Sequence, residues 1–166
     1  MADAEIIALR EKLASRSRSD DYRQRRRDID ARGLQYGLKA DVKVEPVTAN
    51  GVRAEWTSTP QDNSDAALLY LHGGGYVIGS LDSHRHLVAE AGRDAGCWAL
   101  ALDYRLAPEN PFPAAVEDAV AGYRYLLARG LKPGRIAIAG DSAGGGLVVA
   151  AMLAIRDAGL PQPGCG

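Results

Sequence analysis

The segment Arg135-Ile-Ala-Ile-Ala-Gly-Asp-Ser-Ala-Gly-Gly-Gly146 leaves the chain few folds to choose from. A short apolar run, Arg135 to Ala139, stops at glycine, presents Ser142 and restarts as a glycine-rich stretch in which Leu147 to Ile155 is apolar on all sides. The first part reads as a buried strand and the second as a buried helix. Between them, Gly140-Asp141-Ser142-Ala143-Gly144 fits G-x-S-x-G. That is a strained strand-to-helix turn which lifts a serine hydroxyl clear of its own backbone at the carboxyl end of a strand. Gly140 and Gly144 flank the serine in space, where a side chain would press strand against helix.

The rest of the chain supplies a setting for such a turn. Ile6, Leu9 and Leu13 at helical spacing behind Asp3 predict one helix, and a second is expected to start at Ser19 or Asp20. Asp41 to Val47 and Val52 to Ser58 alternate apolar with polar around Asn50-Gly51, a strong hairpin signal. Ala66 to Leu71 is continuously apolar, as a buried parallel strand must be, and ends in His72-Gly-Gly-Gly75-Tyr76. A helix is expected from about Ser83 to Ala95, then a strand from Trp98 to Leu102. Pro111 and Pro113 introduce a further helix with Val116, Val120, Tyr123 and Leu127 on one face and Gly130 as its stop. Strands that alternate with helices in this way form a mostly parallel sheet covered on both faces, an α/β fold.

Composition sets limits rather than a function. With 166 residues, 46% hydrophobic and 25% charged, the chain can bury one ordinary core, and a net charge of −1 gives no global attraction for nucleic acid or an anionic membrane. Between Arg10 and Arg32 nine basic residues stand against five acidic ones; Arg25-Arg26-Arg27 reads as a solvated helix face answered by Asp20, Asp21, Asp28 and Asp30. Cys97 and Cys165 form neither a disulfide framework nor a C-x-x-C pair, and no metal or cofactor is implied. The first ten residues carry charge where a signal peptide needs apolar sequence, and no run approaches ~18 apolar residues. The expectation is a soluble cytoplasmic chain without stable membrane insertion.

A serine hydroxyl is a weak nucleophile near neutral pH. It needs a base for its proton and donors for the oxyanion formed on the attacked carbonyl. The N–H of Ala143, opening a helix behind Ser142, points at such an oxyanion, and a second donor must come from a loop with unhindered backbone. His72-Gly73-Gly74-Gly75 is such a loop, on the same sheet edge as Ser142, where open α/β sheets bind ligands.

The His-Gly-Gly-Gly loop at 72–75, Asp103-Tyr-Arg-Leu-Ala-Pro-Glu109 with Pro111-Phe-Pro113, and Gly140-Asp-Ser-Ala-Gly-Gly145 together resemble the amino-terminal half of a hormone-sensitive-lipase-like carboxylesterase of the α/β-hydrolase fold. The resemblance implies hydrolysis of small or medium acyl esters, with Ser142 as nucleophile and the N–H groups of Gly74, Gly75 and Ala143 holding the oxyanion. It also implies that residues 1–40 are cap or lid helices over the acyl pocket and that 41–166 is part of the hydrolase core, ending after the nucleophile helix.

One departure is as informative as the match. In this fold the acid and histidine of the triad follow the serine, yet 24 residues follow Ser142 and no histidine occurs after His86. His72 and Gly73 belong to the glycine loop, with His72 expected to hold it by a hydrogen bond. His84 and His86, two apart on a helix, diverge. Asp141 and Asp103 are expected to be structural. Two readings stay open: an esterase represented here without its acid and base, or a non-catalytic ligand-binding protein or inactive product of the same fold. Phosphate binding fails on register, because Ile78 and Ser80 stand where glycine and lysine are required. With later strands absent beside 135–139, the bare strand edge predicts self-association.

Overall fold

The computed structural model describes residues 3–15 and 19–166. Arg16 and Arg18 of the basic stretch lie outside the described residues. Five strands form one sheet in the order β1-β2-β4-β3-β5. β1 (Lys43–Ala49) and β2 (Val52–Ser58) are antiparallel, and β2 is antiparallel to β4 (Cys97–Leu102); β4, β3 (Asn63–Leu71) and β5 (Ile136–Gly140) run parallel. The hairpin turns in two residues, Asn50 and Gly51, both at positive φ. That geometry matches the twist of the flanking strands.

Alternation along the parallel strands sorts side chains to two cores. Leu69, Leu71, Leu100, Leu102, Ile136 and Ile138 face α4 (Ala114–Ala128) and α5 (Ala143–Asp157), which contribute Tyr123, Leu126, Leu147 and Ile155. Leu68, Tyr70, Ala99 and Ala101 face α3 (Leu81–Ala95), which contributes Leu81 and Val88. Fully burying each large apolar side chain is worth about 1.5–3 kcal/mol, so the two layers supply most of the driving force. The buried face of α4 is shifted from the sequence expectation: Tyr123 is buried as expected, but with Ala114, Asp118, Ala119, Gly122 and Leu126, while Val116, Val120 and Leu127 pack against the core only partly covered. A Cβ at Gly122 would strike the side chain of Leu102, so this glycine turns the helix onto the sheet.

α1 (Ala4–Ala14) has Asp3 as N-cap but no buried residue, and Ile6, Ile7, Leu9 and Leu13 are exposed. α2 (Tyr22–Gly33) starts behind Asp21 and packs on the start of α3 at Gly33, where a Cβ would meet the backbone of Asp82 and Ser83. Its basic run is not a simple solvated face. Arg26 donates through Nε to Val77 O at 2.7 Å, through Nη2 to Ala107 O at 2.9 Å, and through Nη1 and Nη2 to the Glu109 carboxylate at 3.0 and 2.8 Å. Three of the four acids expected to answer it are engaged elsewhere, Asp21 as the N-cap, Asp28 with Gln24 and Asp30 with Ser80.

The outer edge of β5 is also not bare, contrary to the sequence expectation. Ile138 N donates to Cys165 O at 3.1 Å and Gly164 N to Ile136 O at 2.8 Å, so the last residues pair with the strand locally. On α5, Val149 and Leu153 remain exposed while Leu147, Val148 and Ile155 are buried. No helix among the described residues is long and apolar enough to cross a membrane.

Candidate active site

Ser142 stands between β5 and α5 at φ 52° and ψ −119°, a conformation that costs an ordinary residue of order 1–3 kcal/mol. Close packing imposes it. A Cβ on Gly144 would run into the carbonyls of Leu71 and His72, and one on Gly140 into Leu71 O and the backbone of Gly144. β3 and α5 therefore touch backbone to backbone, and the chain between β5 and α5 has room only for a sharp turn. The Ser142 side chain is exposed and makes no capping hydrogen bond.

The glycine loop leaves β3 at Leu71 and lies beside that turn. Gly74, Gly75 and Tyr76 have φ of 124°, 65° and 62°, so the loop turns through conformations that favour glycine, and Tyr76 adopts one at a cost. The N–H groups of Gly74, Gly75 and Ala143 donate none of the backbone hydrogen bonds of the described loops and caps.

Asp141 joins the two segments. Its Oδ1 accepts from Gly73 N at 2.9 Å and from Tyr70 Oη at 3.2 Å, and stands 3.4 Å from His84 Nε2. Burial and then the Asp141 charge push the Tyr70 hydroxyl well above its ordinary pKa, which keeps it a donor. Asp141 thus links the glycine loop to the serine turn, and its partners Tyr70 and His84 have no counterpart in the sequence reading. Tyr70 could have been found from its place near the end of a parallel strand; His84 had no local signal.

His72 is likewise held within the scaffold. It is buried, its Nδ1 lies 2.8 Å from Gly73 O, and its ring stacks on Tyr104 at 4.3 Å and 15°. Tyr104 Oη donates to His72 O at 2.6 Å. Burial lowers the His72 pKa to about 4, against a smaller opposing effect of the bond to Gly73, so the ring is neutral near pH 7. His84 Nδ1 lies 2.8 Å from the Ser83 hydroxyl, and the ring of His86 packs against Tyr36. His72 Nε2 is buried and has no hydrogen-bond partner among the described residues.

Asp103, the remaining residue singled out in the sequence, lies just after β4. Asp103 accepts from Arg53 at 2.9 Å; burial raises its pKa and the guanidinium opposes that rise. It ties the end of β4 to β2 and does not reach the turn. Arg105 of the same motif is pinned by the buried Asp118, through its N–H at 2.7 Å and its Nε at 2.9 Å, and by Glu117. Ala107 N donates to Tyr76 O at 2.9 Å, joining this loop to the glycine loop, and Arg26 clasps both from α2. A cavity of 370 Å³ opens between them, walled by Tyr76, Ala107, Phe112, Val116 and Leu147. Its lining is mostly apolar and starts one turn along α5 from Ser142. Sequence reasoning could not have picked Arg26 from its neighbours, because only the docking angle of α2 separates them.

The model of the alpha/beta hydrolase fold family matches residues 68–165, and the chain belongs to that family. It is 48% identical over 165 residues to an acetyl-hydrolase of Streptomyces hygroscopicus, covering 98% of this chain and 55% of that protein. Over 95 residues it is 50% identical to an ethyl acetate hydrolase of Pseudomonas putida, covering 53% of this chain and 30% of the relative. Among solved structures, an esterase from the bacterial hormone-sensitive lipase family superimposes with a TM-score of 0.90 at 48% identity, over 98% of this chain and 56% of that one. The chain spans about half the length of these full-cover relatives.

Proposed function

We propose that these residues form the nucleophile and oxyanion portion of a serine carboxylic ester hydrolase. The observation that carries the reading is the strained, exposed Ser142, tied through Asp141 to a glycine loop with free N–H groups. Ser142 attacks the ester carbonyl, and the oxyanion is held by the N–H groups of Gly74, Gly75 and Ala143. Collapse of that intermediate expels the alcohol and leaves an acyl-serine, which water then hydrolyses. The esterase and acetyl-hydrolase relatives support an ester as substrate, and the apolar 370 Å³ cavity suits a small or medium acyl group. The helices before residue 40 act as part of the cap over it, a role supported by the grip of Arg26 on both loops that wall the cavity.

The base is the open position. His72 Nδ1 and His84 Nδ1 are engaged with Gly73 O and the Ser83 hydroxyl, and His86 packs against Tyr36, which supports a proton acceptor and acid partner supplied from outside these 166 residues. A fluorophosphonate probe tests the reading on a form of the protein that hydrolyses p-nitrophenyl esters. Labelling is expected at Ser142 and absent in Ser142→Ala. Label that survives this change places the nucleophile elsewhere. The 166 residues alone are expected to hydrolyse p-nitrophenyl esters at no more than about 10³- to 10⁴-fold over water, the level an oxyanion site keeps without its triad partners.

A further inference from the structure

A second cavity, of 590 Å³, lies at the opposite edge of the sheet from Ser142. It is walled by the starts of β3 and β4, by Trp56 of β2, and by the segment from the end of α4 to the start of β5. The nine residues of β3 separate it from the nucleophile turn by roughly 26 Å, eight steps of about 3.3 Å. We propose that this cavity binds a small aromatic anion, an aryl ring bearing a phosphate or carboxylate.

Charge is the first ground. Arg129, Lys132 and Arg135 line the cavity against the single acid Asp65, an excess of two positive charges (three minus one) in a chain of net charge −1. None of the three makes an ion pair among the described residues. The dipole of α4 accounts for Arg129 at its C-cap, but that effect fades within a turn and does not reach Arg135 at the far end of a separate 3-10 turn. Unpaired like charges gathered around one cavity repel each other, and an anion between them relieves the repulsion.

The aromatic wall is the second ground. Trp56 and Trp98 meet edge to face at 5.8 Å, and the Arg129 guanidinium lies 5.9 Å from the Trp56 ring. Trp56 is buried, and its indole N–H has no acceptor among the described residues. That N–H is closed off from the cavity, so the wall offers a ligand aromatic surface rather than a donor. Flat apolar surface beside unpaired cations selects a ring with an anionic substituent over either half alone. The volume is within the usual range of small-molecule sites.

The chain has two tryptophans and both line this cavity, so its intrinsic fluorescence reports on it without a label and without reference to Ser142. Phenyl phosphate is expected to change that fluorescence saturably, with a dissociation constant near or below about 1 mM, and to give matching heat by titration calorimetry. Inorganic phosphate and benzyl alcohol, standing in for the anionic and the aromatic part of the probe, are expected to bind about tenfold more weakly or not at all. Raising NaCl to about 0.5 M should weaken phenyl phosphate several-fold. The double variant Lys132→Glu, Arg135→Glu is expected to lose at least about tenfold in affinity, with its fold checked by circular dichroism. Should that pair not fold, Lys132→Glu alone, at an exposed position, is expected to weaken binding about threefold. The proposal is overturned by any of three results: no saturable response, benzyl alcohol or inorganic phosphate binding as well as phenyl phosphate, or a folded charge-reversed variant that keeps full affinity.

Discussion

The amide of Gly73 donates to the carboxylate of Asp141 at 2.9 Å, so the residue before Ser142 fixes the first turn of the loop that faces it. The pair closes a span of 68 residues. In the proposed hydrolase, nucleophile and oxyanion donors are therefore one rigid unit.

Removing the clamp should be costly. Asp141→Ala leaves Gly73 N and the Tyr70 hydroxyl without their acceptor, and each such group, where partly buried, is worth about 1–3 kcal/mol. Urea denaturation is expected to show a loss of about 2 kcal/mol or more. Asp141→Asn, which keeps one acceptor oxygen, should recover about half of it.

Strain at Ser142 gives an unusual signed prediction. Ser142→Gly relieves the backbone at φ 52°, whereas Ser142→Ala does not. The glycine variant is expected to be more stable than the alanine variant by about 1 kcal/mol, the reverse of the usual order. Matching thermal melts of the two proteins check it.

Gly74 has no such latitude. At φ 124°, and with the Ile78 carbonyl where a Cβ would stand, Gly74→Val must displace the loop. In a form with measurable turnover, kcat is expected to fall about 10²-fold or more, the scale of a lost oxyanion donor, while a change confined to KM would contradict that role.

The neutral His72 makes stability depend on pH. Its folded pKa, about 4, lies below the value of about 6.5 for an unfolded histidine. The unfolded chain thus takes up the proton first as pH falls. The contribution is fully present above about pH 6.5 and is lost progressively down to about pH 4, of order 3 kcal/mol in all. Denaturation of His72→Gln over pH 4 to 7.5, compared with the unsubstituted chain, should show a flatter slope across that window. Parallel slopes would show that His72 does not titrate as its burial requires.

Arg26 should resist conservative replacement. Its three nitrogens serve two carbonyls and one carboxylate, a fork that an ammonium cannot reproduce. Arg26→Lys and Arg26→Ala are both expected to speed hydrogen exchange in Tyr22–Gly33 and at Val77 and Ile78. Protection retained in Arg26→Lys would mean that charge alone holds α2.

The order of elements, the parallel core and the serine turn were legible in the sequence, because each rests on local pattern: continuous apolar runs, Asn50-Gly51, and glycines flanking Ser142. What was not legible depends on how distant pieces dock. Arg26 looked like one of three solvated arginines until α2 settled on the loops. The face of α4 was misplaced because Gly122 outweighs its larger neighbours once Leu102 lies beneath it. Tyr70 and His84 converge on Asp141 only after β3 and α3 are placed. The pairing of Gly164 and Cys165 with β5 has no periodicity to betray it.

The sorting of β4 has a further consequence. Leu100 and Leu102 lie on one face, and Ala99 and Ala101 on the other, where the added Cβ of Gly92 would already stand 3.0 Å from Ala99. A slip of one residue in pairing would exchange the two sets, driving leucines against α3 and opening voids beneath α4. Misaligned sheets are thus disfavoured sterically as well as energetically: β4 works as a key whose teeth fit the lock in a single position.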